Sequence, residues 1–318
     1  MLISICCITY NHENYIQQAL ESFLMQKGSF EMEILINDDA SRDRTPHIIR
    51  RYAKKYPERI KPLFHRENQY SKGITNPSGV FNFPRARGKY IALCEGDDYW
   101  LDPHKLQKQL VIMENNPKLS FCFHSARIKN MDSSFSPFLV RPYLKSEEIS
   151  PDQVIDKKSG YPKASLFFPK AFVQELPNYY LECPIGDIPL QLLLAARGPA
   201  YYLDEALSVY RRGDPGSWSV GQRAGGFEKK QEAYFKAMVK TYRDFDRETD
   251  LIFHKSVVLA LSRLRFGIYV NTRQFSRIFQ KRFQRELREL GLFERGMLCL
   301  EYRYPEIYRR IRGIVTGK

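Results

Sequence analysis

The sequence predicts an α/β fold, a doubly wound and mostly parallel sheet of the Rossmann-like kind, followed by a helical C-terminal extension. Two observations support this prediction. In the N-terminal half of the 318-residue chain, short apolar segments alternate with segments whose apolar residues recur at helical spacing, as in successive strand–helix units. From Phe227 onward the pattern is helical, with breaks near Asp250, Asn271 and Gly291. We therefore expect two regions, residues 1–225 and residues 226–318.

The individual elements follow from apolar runs, helical spacing and capping residues. Leu2–Thr9 is a continuous run of apolar and small residues, which is typical of a strand buried on both faces. Thr45 followed by Pro46 is typical of an N-cap and the first turn of a helix. The other predicted strands are Glu33–Ile36, Ile60–His65, Tyr90–Leu93, Leu119–His124, Ala164–Phe168 and Ala206–Arg211. The other predicted helices are Asn14–Met25, Pro103–Asn115 and Asp187–Arg197.

Two stretches are predicted to be loops. Asp132–Gly160 is rich in Ser, Pro and charged residues, without a clear period. Gly213–Gly226 holds five Gly, one Pro and two Ser, a composition that indicates a mobile loop.

Positive charge is concentrated near the C-terminal end. The formal net charge is +14, and Leu251–Lys318 holds 15 Lys and Arg against 5 Glu, a net +10. Such a segment favours an anionic partner: anionic lipid, an acidic glycan or nucleic acid. Apolar residues such as Phe275, Ile278 and Phe279 alternate with the cations, which suits a helix lying on an anionic membrane surface. The alternative is that these apolar residues pack inside the protein and the charges are only solvated.

Apolar runs and cysteine usage indicate the compartment. The longest apolar stretches, such as Leu190–Ala196, are far shorter than the roughly 20 residues of a membrane-spanning helix. Met1 is followed at once by strand-like residues, without the pattern of a secretion signal. The six cysteines show no CxxC spacing, and the adjacent Cys6 and Cys7 point to opposite faces of a strand. We expect a cytoplasmic protein, peripheral on the inner face of the cell membrane if the basic region binds lipid.

Acidic residues follow two of the predicted strands. Asp38 and Asp39 follow the second strand, and Glu95, Asp97 and Asp98 follow the fourth. Ligands of open parallel sheets bind beyond the carboxyl ends of the strands. Acidic clusters that meet there repel each other unless a cation lies between them, and Mg²⁺ or Mn²⁺ prefers oxygen ligands and bridges phosphates. The pattern favours a divalent metal shared with a pyrophosphate, although each acidic pair alone also fits a turn or a helix cap.

Three motifs at strand ends carry a family resemblance. They are Thr9-Tyr10-Asn11, Asn37-Asp38-Asp39-Ala40-Ser41, and the run from Gly88 to Trp100 that contains Glu95-Gly96-Asp97-Asp98. In this order they resemble the family-2 glycosyltransferases of the GT-A fold, of the type that builds bacterial surface polysaccharides. The resemblance covers about residues 1–220 and implies an inverting transfer of a sugar from a nucleotide sugar, with residues 1–225 as the catalytic domain.

The resemblance implies a nucleotide site at the first two strand ends. Thr9, Tyr10, Asn11 and Glu13 resemble the segment that lies against the nucleotide, with Tyr10 stacking on the base. Asp39 resembles the carboxylate that accepts a hydrogen bond from uracil, and Asp38 lies beside it.

The resemblance also implies a metal and pyrophosphate site. Asp97 and Asp98 look like the core of the DxD-type motif, with Asp98 in direct metal contact and Asp97 near metal and nucleotide. Glu95 stands where many relatives have Asp. Many relatives have a His after the last strand, where this chain has Gly213, so Arg211 and Arg212 are the candidates for pyrophosphate contact. Ser217-Trp218-Ser219 resembles a flexible segment that closes over the donor.

Asp187 is similar to the family's late acidic residue, the general base. It lies in the run from Cys183 to Leu190, at the start of a predicted helix, and an inverting transfer needs one base to take the proton of the acceptor hydroxyl. A helix-capping role for Asp187 is the alternative.

The predicted function is transfer from a UDP-sugar to a glycan or lipid-linked saccharide acceptor, with Mn²⁺ or Mg²⁺ as cofactor. One rival is a sugar-1-phosphate nucleotidyltransferase, although the segment Thr9–Tyr15 lacks the Gly-rich, Lys/Arg-containing loop of such enzymes. A second rival is a non-enzymatic basic protein that binds nucleic acid. No helix-turn-helix, zinc or RNP-like motif supports it, so we expect no nucleic-acid partner.

Overall fold

A computed structural model describes residues 1–157, 160–214, 220–221 and 225–316, with side chains described to residue 310. Within these residues ten strands form one sheet in the order β3-β2-β1-β4-β9-β6-β10-β5, with β7 paired to β6 and β8 to β10. The strands are β1 Leu2–Thr9, β2 Glu31–Asp38, β3 Ile60–Phe64, β4 Tyr90–Leu93, β5 Tyr99–Trp100, β6 Phe121–Asn130, β7 Phe135–Val140, β8 Glu147–Ile149, β9 Phe167–Pro169 and β10 Ala200–Arg212. The strands β1 to β4 are parallel, and β9 runs antiparallel between β4 and β6.

Helices cover both faces of the sheet and form the C-terminal region. Those of the first part are α1 Ile16–Leu24, α2 Thr45–Lys55, α3 Lys105–Asn115, α4 Pro151–Ile155, α5 Asn178–Leu181 and α6 Asp187–Ala195. Those that follow are α7 Phe227–Glu248, α8 His254–Asn271, α9 Phe275–Ile278, α10 Gln284–Glu289, α11 Leu292–Arg303 and α12 Pro305–Thr316. The helical C-terminal region is thus confirmed.

Side chains of β1 point alternately into two hydrophobic cores. Ile5 and Cys7 pack in a core that includes Phe23 of α1 and Leu106 of α3, on one face of the sheet. Cys6 packs on the other face, in the core that contains the leucines of α6. Helices on both faces explain why β1 reads as a continuous apolar run, and they confirm the predicted doubly wound, mostly parallel architecture.

Three local predictions were wrong. Thr45 is the first helical residue and not the N-cap, because its hydroxyl accepts the backbone N–H of His12 while Asp43 accepts the N–H of Thr45. The predicted loop Asp132–Gly160 contains β7, β8 and α4. Most side chains of β7 are exposed and β8 has only three residues, so no burial pattern marks either strand in the sequence. The predicted strand Ala164–Phe168 begins as a 3₁₀ turn, and β9 starts only at Phe167.

The first two C-terminal helices share a core with the sheet. Met238 and Phe245 of α7 and Val257 of α8 are buried in the same cluster as Leu190 and Leu194 of α6. The domain boundary at residue 225 stays a prediction. Among the described residues, α7 and α8 after this position pack in the same core as α6 before it.

The remaining C-terminal helices form a second, small core with the end of α8. Ile278 and Phe283 are buried with Phe266 and Tyr269. Phe275 and Phe279 stack on Tyr302, with ring centroids 5.5 and 5.2 Å apart. Phe275, Ile278 and Phe279, three of the apolar residues that suggested a membrane-facing helix, are therefore packed, whereas Leu292 and Phe293 at the start of α11 are 80% and 79% exposed. No helix of the described chain is long and apolar enough to cross a membrane.

Candidate active site

An acidic turn joins β4 to β5 at the carboxyl edge of the sheet. One carboxylate oxygen from each of Glu95, Asp97 and Asp98 lies within 4.8 Å of the others. The turn lies tightly against the end of β1, because the Gly96 N–H donates to the carbonyl of Ile8 at 2.9 Å. A Cβ at position 96 would lie only 2.7 Å from Oγ1 of Thr9, so this approach requires glycine.

The three carboxylates differ in their electrostatic surroundings. Burial, together with the neighbouring Asp97, raises the pKa of Asp98 well above its ordinary value. Burial also raises the pKa of Asp97, although His12 opposes it from 4.0 Å. Burial alone would raise the pKa of Glu95 too, but the Lys163 ammonium, 2.7 Å from Oε1, outweighs it and lowers that pKa. The cluster therefore concentrates negative charge, which Lys163 and His12 neutralise only in part.

Arg211 joins the last long strand to the acidic turn. Its backbone N–H donates to Oδ1 of Asp98 at 2.9 Å, and its guanidinium donates to the Asp97 carbonyl. The guanidinium also lies over the rings of Tyr15 and Tyr99, at 4.8 and 4.7 Å from their centroids. Antiparallel pairing of β10 with β5 produces this arrangement. Arg212, by contrast, is exposed and lies outside the acidic cluster.

The segment after β1 is tied to the loop after β2. Asn11 adopts a left-handed conformation with φ 54°, its N–H donates to Ser41 Oγ, and its Oδ1 accepts the Arg42 N–H. Glu13 accepts the Arg44 N–H at 2.9 Å. Both predicted nucleotide-binding side chains thus hold a neighbouring loop in place.

Thr9 and Tyr10 differ in exposure. Thr9 is buried and its Oγ1 has no hydrogen-bond partner among the described residues, whereas Tyr10 is 41% exposed. An exposed ring at the end of β1 is available for stacking.

Asp38 and Asp39 are both buried and hydrogen-bonded. Asp38 accepts the Ser41 hydroxyl at 2.6 Å, while burial raises its pKa. The Asp39 carboxylate accepts the backbone N–H groups of Gln69 and Tyr70 at 2.6 and 3.1 Å. Asp39 thus orders the segment after β3, at the edge of the crevice where the resemblance implies the uracil.

Asp187 is the first residue of α6 and is half-buried. The N-cap position is occupied by Gly186, so Asp187 is not the capping residue of this helix. The negative charges of Glu95 and Asp187 both raise the pKa of Lys163, although its burial acts in the opposite direction. Lys163 also lines one small cavity together with Gly186, the residue before Asp187, so the acidic turn and the start of α6 lie near each other.

Sequence reasoning missed Lys163. It lies 68 positions from Glu95 in the chain, and its local context, Pro162-Lys163-Ala164, carries no motif. Only the antiparallel insertion of β9 beside β4 brings this lysine to the acidic turn. The Ser217-Trp218-Ser219 segment predicted to close over the donor lies outside the described residues.

The acidic turn fits a divalent metal. Three carboxylates offer oxygen ligands, which Mg²⁺ and Mn²⁺ prefer. The raised pKa values of Asp97 and Asp98 reflect charge held close together and out of water, which a bound cation relieves. Asp97 and Asp98 are the better ligands, because Glu95 already pairs with Lys163.

Sequence comparison identifies the class of protein. The chain matches glycosyl transferase family 2 over residues 4–172, more than half of its length, and belongs to that family. The Mycobacterium tuberculosis protein Rv1520 is 36% identical over 225 residues, which covers 68% of this chain and 60% of that protein. This chain thus matches less than two thirds of that relative's length.

Solved structures show the same fold. S. aureus TarS 1–349 in complex with UDP superposes with a TM-score of 0.55 at 16% identity, covering 86% of this chain and 92% of that one. A mannosyltransferase of Pyrobaculum calidifontis, in complex with GDP-Man and Mn²⁺, superposes with a TM-score of 0.55 at 14% identity, covering 97% and 82%. At these identities the likeness shows the fold, which is the predicted GT-A fold.

Proposed function

We propose that this glycosyltransferase is an inverting enzyme that moves a sugar from a UDP-sugar to a glycan or lipid-linked saccharide. The observation that carries the proposal is the acidic turn Glu95–Asp98, which lies at the carboxyl edge of a parallel sheet and pairs with Lys163, a residue that lines the same cavity as Gly186 beside Asp187. The solved relatives that hold UDP, or GDP-Man with Mn²⁺, support a nucleotide sugar as the donor.

The donor lies across the ends of β1, β2 and β4 in this proposal. Tyr10 stacks on the base, and Thr9, Asn11, Glu13, Asp38 and Asp39 form or support the wall beside it. Asp97 and Asp98 hold Mn²⁺ or Mg²⁺, which when bound neutralises charge on the pyrophosphate leaving group. Arg211 adds positive charge beside the acidic turn. Arg212 is exposed, so in this proposal it contacts a phosphate from the protein surface.

Asp187 acts as the general base. Its carboxylate accepts the proton of an acceptor hydroxyl while that oxygen forms a bond to the anomeric carbon of the donor sugar. The bond from that carbon to the β-phosphate oxygen breaks, and UDP leaves with the electron pair on the opposite side. Attack and departure on opposite faces invert the anomeric configuration. Asp187 suits this role because it is half-buried and follows the N-cap residue Gly186, so it does not serve as the cap of its own helix.

The acceptor proposal rests on the C-terminal region. Its net charge of +10 over Leu251–Lys318 and the exposed Leu292 and Phe293 suit an anionic membrane surface that carries a lipid-linked saccharide. A cytoplasmic enzyme, peripheral on the inner face of the membrane and acting in surface-polysaccharide synthesis, would meet such an acceptor there.

The test is a panel of nucleotide sugars with the full chain and Mn²⁺. We expect UDP release from one UDP-sugar, slow with water alone, and NMR should show that the sugar product has the anomeric configuration opposite to the donor. Retention of configuration would contradict the inverting mechanism. A preference for a GDP- or dTDP-sugar would contradict the choice of UDP.

A further inference from the structure

A small cavity lies between the acidic turn and the start of α6. Ile8 and Leu93, near the ends of β1 and β4, form part of its wall, and Asn76, Lys163 and Gly186 are among its other lining residues. Its volume of about 10 Å³ is the room that one water molecule or one hydroxyl group needs. Lys163 pairs with Glu95, and Gly186 precedes Asp187, so the cavity lies between the proposed metal site and the proposed base.

Asn76 presents a hydrogen-bond acceptor without a donor. The residue is 3% exposed, and its Nδ2 donates to the carbonyls of Tyr180 and Cys183 at 2.5 and 3.0 Å. Both carbonyls can only accept, so the amide must keep its NH₂ group toward them. Oδ1 is thereby directed away, and it has no partner among the described residues. A buried acceptor of this kind calls for a donor from water or from a ligand.

Gly186 keeps the space in front of this oxygen free. A Cβ at position 186 would lie 2.5 Å from Oδ1 of Asn76, so any side chain there would press on the acceptor. Gly186 has φ −96°, which other residues adopt readily, so its backbone conformation does not require glycine. The need is for space, at the residue directly before Asp187.

We infer that Asn76 is a specificity-determining residue that accepts a hydrogen bond from one hydroxyl of the donor sugar. This inference rests on the proposed function, because the sugar of a nucleotide sugar must lie between the pyrophosphate and the base that serves the attacked carbon. Lys163 has N–H groups beyond the one on Glu95 that can donate to the oxygen of the same hydroxyl. A neutral hydroxyl fits both partners, whereas a carboxylate would be repelled by Oδ1.

Calorimetry with the full chain and Mn²⁺ tests the inference. UDP, UDP-glucose, UDP-galactose and UDP-N-acetylglucosamine are titrated in turn. The UDP-sugar with the lowest Kd is then compared with its monodeoxy analogues. For Asn76→Ala we expect the Kd of that UDP-sugar to rise about 2- to 10-fold, the range for one neutral hydrogen bond, while the Kd of UDP is unchanged. For the wild type, one monodeoxy analogue should have a Kd higher than that of the parent UDP-sugar by the same factor. For Asn76→Ala, this analogue and the parent UDP-sugar should have equal Kd values.

Two more variants keep the test decisive. Gly186→Ala narrows the cavity and keeps the Asn76 amide. We expect this variant also to bind the UDP-sugar more weakly and to bind UDP normally. Asn116→Ala, which removes a structural amide bonded to Ile112 at the end of α3, is the matched control and should leave both Kd values unchanged. Unchanged UDP-sugar affinity in Asn76→Ala and Gly186→Ala would mean that the cavity holds water and would overturn the inference. A wild type that binds no UDP would instead overturn the proposed function.

Discussion

The backbone N–H of Arg211 donates a 2.9 Å hydrogen bond to Oδ1 of Asp98, which ties the end of β10 to the acidic turn after β4. Asp98 is 3% exposed, so this bond and its carboxylate neighbours dominate its surroundings. The bond uses one oxygen and leaves the other to a cation. It also holds the end of β10 against the acidic turn.

UDP binding should depend on a divalent metal and on Asp98. Chelation of Mn²⁺ and Mg²⁺, or the variant Asp98→Asn, should lower the affinity for UDP. Loss of a residue that supports a metal ligand costs roughly 10- to 100-fold in affinity, and we expect at least this effect. The amide keeps the shape of the side chain but loses the charge that holds the cation. Calorimetry measures both effects. Asp102→Asn, which lies near in sequence and pairs with Lys108, is the control and should bind UDP normally. Equal affinity with and without metal would contradict the proposed site.

Asp187→Asn should separate chemistry from binding. Loss of a general base costs on the order of 10²- to 10⁴-fold in rate, and we expect this loss in UDP release while the Kd of UDP stays the same. Glu182→Gln changes a nearby exposed carboxylate paired with Lys240 and should keep near-normal turnover. If Asp187→Asn also turns over normally, another group is the base.

Lys105 should make stability depend on pH. Its ammonium is fully buried, has no hydrogen-bond partner among the described residues and lies 4.0 Å from the Trp100 ring centroid. Burial lowers the pKa of Lys105 to about 7. The unfolded chain, in which the pKa of lysine is about 10.4, binds more protons between these values, so the free energy of unfolding should rise as the pH rises from about 7 toward 10.

Lys105→Met should remove that dependence. Below about pH 7 the wild type carries the full cost of a buried charge, and we expect the variant to unfold with a free energy higher by about 1 to 3 kcal/mol there. Urea denaturation at a series of pH values measures both proteins. Parallel pH profiles for the wild type and the variant would show that Lys105 is not the responsible group.

Binding to anionic liposomes should require Leu292 and Phe293. The two side chains are exposed beside a basic region, and each cation near such a surface contributes about 1 kcal/mol. We expect the full chain to sediment with anionic but not neutral liposomes, and the double variant Leu292→Ser, Phe293→Ser to lose most of this binding. Added salt should weaken it. If the full chain does not bind anionic liposomes at low salt, the proposal that its C-terminal region binds an anionic membrane surface is contradicted.

The sequence predicted the parts of the fold in which burial leaves a pattern. β1 and β4 lie where their apolar runs indicated, because both faces of each strand are covered. β7 was missed because most of its side chains are exposed, so composition alone made it look like a loop.

The candidate site was predictable only where its residues belong to short motifs in the sequence. Asp97, Asp98 and Asp187 belong to local motifs, and the acidic turn proved to be a cluster. Lys163 and Asn76 could not be predicted, since their partners lie far away in the chain and are brought near by β9 and by the segment before α6. Such pairings depend on three-dimensional packing and leave no periodic signal.

The core that α7 and α8 share with α6 has a practical consequence for protein engineering. Asp187 begins the helix whose leucines pack against Met238, Phe245 and Val257. A chimera joined at the glycines of residues 225–226 would expose that apolar surface and loosen the helix that carries the proposed base. A graft that exchanges acceptor preference with a relative should therefore keep α7 and α8 together with the sheet.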